Sequence, residues 1–112
     1  MNALRNKVQL IGHLGHNPEI KTFDDNKKLA RFSIATDEIY HNSKGERVKE
    51  TQWHNVIAWG KTAENVEKYL VKGKEVAVEG KLVTKSYTDK EGVKKFSTEV
   101  VVSDMLLLGS KD

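Results

Sequence analysis

From residue 6 the chain reads NKVQLIGHLG, in which Val8, Leu10, Gly12 and Leu14 alternate with Lys7, Gln9 and His13. A period of two is that of a strand with one face buried. Gly12 within the run predicts a bulge or a sharp coil. HNPEIKTF then reads as a turn and a short strand, and DDNKK at 24–28 as the next turn. LARFSIAT forms a second long strand with Ala30, Phe32, Ile34 and Thr36 on one face. It runs on towards Ile39 and Tyr40 before the polar loop HNSKGE, and TQWHNVIAW is a third strand.

The period then changes. In KTAENVEKYLVKG, Ala63, Val66 and Leu70 recur at helical spacing with Tyr69 beside them, which assigns Tyr69 to packing. Thr62 is placed to cap the helix, Glu64 and Lys72 suit its dipole, and Gly73 can end it in a left-handed conformation. KEVAVEGKLVTKSY is a fourth strand, TDKEGV a loop, and KKFSTEVVVSDMLLLG a fifth strand. Three long strands, a helix and two more strands predict an all-β fold. It is the five-stranded Greek-key barrel called the OB-fold, with one α-helix between strands 3 and 4. The barrel is expected to occupy residues 1–109, with 110–112 as a short end.

Composition narrows the chemistry. The chain has 112 residues, 38% hydrophobic and 31% charged, as expected for one domain with a modest core. Its net charge of +3 and pI of about 9.1 permit an anionic partner without demanding one. Cysteine is absent, which excludes disulfides, zinc–thiolate sites and thiol catalysis. No apolar run has the length of a membrane span, and the start lacks the apolar region of a secretory signal. A thiol-free chain fits a reducing cytoplasm, and a cytoplasmic protein is expected.

Both tryptophans, Trp53 and Trp59, fall in TQWHNVIAWG. They share parity with Asn55 and Ile57, whereas Gln52, His54, Val56 and Ala58 take the other face. Six residues of strand separate the indoles by about 20 Å. They cannot touch, but they can serve as separate platforms for an extended polymer. Tyr40 and Tyr87 each precede a polar loop, and Lys81 and Lys85 share parity with Tyr87. A lone strand tryptophan more often belongs to a core. Four rings near strand ends, beside lysines, instead fit a single-strand groove, where rings hold bases and lysines hold phosphates. Phe32 and Phe96 lie among regularly alternating Ile and Val and are assigned to the core. Tyr40 shares parity with Phe32, so it reaches an outer surface only through a bulge or strong coiling.

Other motifs carry no chemistry. WGKT resembles the end of a phosphate-binding loop, but Asn55 stands where a glycine is needed and Val56–Trp59 is stiff and apolar. His13 and His16 lack a third metal ligand, and the 24–28 turn lacks the glycine and distal glutamate of a calcium loop. No nucleophile elbow is present, so no enzyme, metal or cofactor is expected.

Three stretches resemble bacterial single-stranded DNA-binding proteins: NKVQLIGHLGHNPEIK, ETQWHNVIAWGKTAENVEKYLVKGKEVAVEGKL and SYTDKEGVKKFSTEVVVSDMLLLG. The resemblance implies an OB-fold that assembles as a homotetramer. Such an assembly wraps single-stranded DNA without sequence preference in replication, recombination and repair. It implies base stacking on Tyr40, Trp53, Trp59 and Tyr87. Tyrosine stands where tryptophan is usual at 40 and 87, and tryptophan where phenylalanine is usual at 59. It places His54 at a subunit contact, and Lys7, Lys61, Lys72, Lys74 and Lys85 near phosphates. Family members usually continue into a flexible tail whose acidic tip recruits replication and repair enzymes. The sequence stops at LLLGSKD, so tail-mediated recruitment is not expected. The alternatives are a dimeric OB-fold accessory of the primosome type and an RNA-binding OB protein.

Overall fold

The computed structural model describes residues 4–109, so the expected short end at 110–112 lies outside the described residues. Strand β1 (Val8–Leu14) is followed by the short β2 (Glu19–Thr22), then β3 (Lys28–His41) and β4 (Arg47–Trp59). Helix α1 (Gly60–Tyr69) leads into β5 (Glu75–Thr88) and β6 (Lys94–Leu107). Hydrogen bonding runs in the order β1-β5-β6-β4-β3-β2, and β1 also pairs with β3. The β1–β3 contact, His13 with Ala35 and Leu14 with Ile34, closes five strands into a barrel. β2 pairs only with β3 and adds an outer rung. The helix lies between the third and fourth barrel strands, as the order of elements predicted.

Closure depends on Gly12. A Cβ there would overlap the Ala35 carbonyl oxygen. Without a side chain, β1 can leave β5, where Gly12 faces Val76, and swing against β3 within two residues. The sharp coil expected of this glycine is a close approach of two backbones.

Alternation fills the barrel. Phe32 and Ile34 of β3, Val56 and Ala58 of β4, Val76 and Val78 of β5, and Val100 and Val102 of β6 meet in one cluster. Ala63, Val66 and Leu70 plug its end. Burying a side chain such as Phe32 contributes about 1.5–3 kcal/mol.

The helix differs from expectation at both ends. It begins at Gly60, and its N-cap Trp59 makes no side-chain capping bond, so Thr62 is not the cap. Gly60 has φ 59°, which lets the chain turn from strand directly into helix without a loop. No acidic residue lies in the first turn, and Lys68, not Lys72, occupies the last. Leu70 is already extended, with its N–H bonded to the Val66 carbonyl. Gly73 does take positive φ, at 87°, but in the following turn, where the Lys74 N–H reaches the Val71 carbonyl. That turn hooks onto β1 through Gly73 N–H to Leu14 O at 2.9 Å, which halts the helix early.

Two ring assignments are corrected. Phe96 is 67% exposed, because the β5–β6 hairpin continues past the barrel and its inward parity there faces no core. Tyr69 is exposed as well: the buried stripe of Ala63 and Val66 continues into Leu70 and leaves Tyr69 to one side.

Candidate nucleic-acid interface

The β3–β4 register runs unbroken from Leu29 opposite Trp59 to His41 opposite Arg47. Paired residues share a face. Trp53 therefore stands beside Ala35, Asn55 beside Ser33, Ile57 beside Arg31 and Trp59 beside Leu29, all outside the barrel. Trp53 is 60% and Trp59 45% exposed, whereas Val56 and Ala58 on the other parity are fully buried, and Ile57, between the indoles on their own face, is covered as well. The Trp53 indole rests on Gly15, where a Cβ would collide with its six-membered ring.

Between and beside the indoles run two adjoining depressions. One is lined by Lys21, Phe23, Leu29, Arg31, Trp59 and Lys85. The other is lined by His16, Arg31, Ser33, Asn55, Ser97 and Glu99, and the cross-strand pair Glu19 and Arg31 borders both. Lys85 Nζ lies 3.5 Å from Glu99 Oε1. Glu99 is only 8% exposed and Oε1 has no hydrogen-bond donor, so the lysine supplies its compensating charge. Phe23, to which the sequence assigned no role, stacks on Trp59 with centroids 6.0 Å apart and planes at 23°. Lys21 Nζ sits 5.5 Å from the Phe23 centroid. Lys21 and Arg31 were also missed. Their signal was parity, since Arg31 pairs with Ile57 on the tryptophan face.

Tyr87 is exposed opposite Lys95 and shares the outer parity of Lys85. Its hairpin tip is tied by Asp89, whose carboxylate accepts the Val93 and Glu91 N–H groups and pairs with Lys95 at 3.2 Å. The Val93 N–H above all, helped by Lys95, holds the Asp89 carboxyl below its ordinary range. Tyr40 stands apart. With no bulge in the register, it keeps the parity of Phe32, opposite to Trp53 and Trp59. It is exposed because the β3–β4 hairpin also outruns the barrel, so both faces meet solvent. Its hydroxyl donates to Glu50 Oε1 at 2.5 Å, and this bond chiefly raises its pKa.

The lysines divide. Lys85 lies in the groove, and Lys61 is exposed in the first turn of α1, two residues beyond Trp59. Lys72 and Lys74 belong to the turn fastened to the 14–17 loop, with Lys72 N–H on Asn17 Oδ1 at 2.8 Å. That loop includes Gly15, and Lys74 lines a separate depression with His13 and Tyr69. Lys7 lies elsewhere, paired with Glu79 at 3.4 Å. His54 is half-buried on the inner parity with Nε2 2.9 Å from Thr36 Oγ1. Among the described residues, no three His, Cys, Asp or Glu side chains are grouped to hold a metal ion, and no helix is long and apolar enough to cross a membrane.

A closed barrel with this strand order and this helix is an OB-fold. The model of the Single-strand binding protein family matches residues 5–108, and the chain belongs to that family, whose members are not enzymes. It is 45% identical over 108 residues to single-stranded DNA-binding protein 1 of Chlorobaculum tepidum, covering 96% of this chain and 67% of that protein. It is 36% identical over 107 residues to the single-stranded DNA-binding protein of Neisseria meningitidis serogroup B, covering 96% of this chain and 62% of that protein. The chain thus spans about two thirds of the length of the curated relatives it matches. Among solved structures, the SSB of Plasmodium falciparum in complex with ssDNA superposes with a TM-score of 0.85 at 33% identity, covering 97% of this chain and all of that one.

Proposed function

We propose that this chain binds single-stranded DNA without sequence preference, stacking bases on Trp53, Trp59 and Tyr87 and neutralising phosphates with the cations around them. The observation that carries the reading is the outer face of β4, where Trp53 is 60% and Trp59 45% exposed, with Arg31 and Lys85 in the depression beside Trp59. Indoles this open are costly to leave in water, and flat partners recover the cost at about 1–3 kcal/mol per base. In a duplex the base faces are already covered, so an unpaired strand is the polymer that fits. Tyr40 contributes from the reverse face of the hairpin once the strand passes over its edge. Lys61 and Lys85 hold phosphates at the Trp59 end of this track, and Lys7, Lys72 and Lys74 do so only on a longer path.

A monomer of charge +3 is a weak electrostatic trap, so wrapping over several copies supplies the rest. We infer a homotetramer, supported by an apolar row in register across three strands, Ile11, Ala77 and Leu106, with Ile11 and Leu106 well exposed. In that assembly His54 lies near a subunit contact. The role is protection of single strands during replication, recombination and repair, in the cytoplasm with the nucleoid.

The test is titration with oligo-dT, followed by tryptophan fluorescence across a salt series, with mass by light scattering. The reading expects strong quenching that saturates at a definite length, weakens with salt, and accompanies a tetramer mass. Unquenched tryptophans overturn the stacking mechanism, and a stable dimer favours an accessory role.

A further inference from the structure

We propose that Phe23 is a base-stacking residue that works as one unit with Trp59, so that this end of the groove holds a base on two rings. The inference rests on the single-strand reading above and adds a residue to it.

Phe23 lies where strand alternation has ended. Its N–H donates to the Lys27 carbonyl at 2.8 Å, and its carbonyl accepts the Asn26 N–H at 2.9 Å. Asn26 takes φ 65°, so the turn is a tight hairpin with Phe23 at its first position. The backbone under the ring is therefore fixed. Lys21, Leu29 and Trp59 form a row across β2, β3 and β4. Leu29 is on the outer parity yet only 7% exposed, and it is no part of the barrel core. It forms the floor beneath the Phe23–Trp59 pair.

Any apolar side chain would cover one leucine. A ring left 37% exposed, offset from its neighbour, does more. At 6.0 Å between centroids the two rings are not eclipsed, so each keeps free face, and together they present a stepped surface wider than either. Cations flank it, with Lys21 over Phe23 and with Arg31 and Lys85 in the same depression, where they outnumber the one carboxylate, Glu19. Apolar faces within reach of three cations match a base and the phosphates on either side of it.

The experiment measures affinity for a labelled oligo-dT by anisotropy in the parent, Phe23→Leu, Phe23→Tyr, Trp59→Leu and the Phe23→Leu/Trp59→Leu double variant. Thermal unfolding of each reports the fold separately. Phe23→Leu keeps an apolar cover on Leu29 but removes the π-face. It is expected to weaken binding by about five- to tenfold, the low end of one stacked base. Phe23→Tyr is expected within about twofold of the parent. The double variant should lose less than the product of the single losses, as for residues sharing one partner. Binding by Phe23→Leu within about twofold of the parent, or losses that simply multiply, would overturn the proposal while leaving single-strand binding intact. A parent that does not bind oligo-dT overturns both.

Discussion

The Trp53 indole and Gly15 occupy each other's space so closely that no Cβ can be added at residue 15. A flat ring resting on bare backbone has one face supported and the other presented to solvent. Replacing Gly15 by valine should dislodge the ring without touching the barrel core. The expected result is an oligo-dT affinity lower by about five- to tenfold, the cost of one misplaced stacking platform. Acrylamide quenching of Trp53 should rise in the free protein. An unchanged quenching constant would show that the ring does not depend on the glycine.

Trp53 and Trp59 are too far apart to share a base. Trp53→Ala and Trp59→Ala should each cost about 1–3 kcal/mol of binding, and the double variant should cost their sum. Tyr40→Ala should behave differently because Tyr40 faces the other way. Its loss should be small on an oligonucleotide just long enough to saturate the tryptophan face, and should appear as the oligonucleotide lengthens. Equal sensitivity at all lengths would place Tyr40 on the same track as the tryptophans.

Glu99 sets a limit on Lys85. A nearly buried carboxylate at 3.5 Å draws on a cation that faces the groove. Glu99→Gln removes that competitor and adds one positive charge to the chain. Affinity for oligo-dT should rise at low salt, and the slope of log K against log salt should steepen by up to about 0.7, one more neutralised phosphate on a single strand. The gain should vanish at high salt. Weaker binding at low salt would mean that Glu99 is needed to aim Lys85.

Acid should loosen the tip of the β5–β6 hairpin only below the ordinary carboxylate range. The folded Asp89 carboxyl is held below its ordinary value by the Val93 N–H, with Lys95 assisting. A depressed folded value contributes stability that is present above the unfolded pKa of about 3.9 and is lost as pH falls through the folded one. The Val93 amide resonance should therefore titrate below pH 4 in the parent and not in Asp89→Asn, which keeps an acceptor oxygen without a charge. A parent midpoint at or above 4 would contradict the hydrogen-bond pattern.

The sequence of elements, the position of the helix and the shared parity of Trp53 and Trp59 were legible because alternation has one meaning inside a closed barrel. The same rule failed at Phe96. Parity tells which way a side chain points but not where the barrel ends, and the β5–β6 hairpin outruns it. Helix boundaries were lost to tertiary demands: Gly60 turns the chain without a conventional cap, and the bond from Gly73 to Leu14 stops the helix before its propensity does. Phe23 was invisible for a simpler reason. It sits in a turn, where no period exists to say what it faces, and its contact with Trp59 depends on β2 lying beside β3.

The closing seam of the barrel also fixes an order of assembly. β3 and β4 are neighbours in sequence, so the hairpin carrying both tryptophans needs only a short loop to form. β1 must wait, because Val8 pairs with Gly80, far down the chain. During synthesis the first strand leaves the ribosome with its main partner unmade, and a run containing Leu10 and Ile11 stays unpaired until most of the polypeptide has followed. Pulsed hydrogen exchange should find β3–β4 amides protected before those of β1, and the reverse order would contradict this. The ring-bearing surface is thus laid down while the wall behind it is still incomplete, and the first strand to be translated is among the last to find its place.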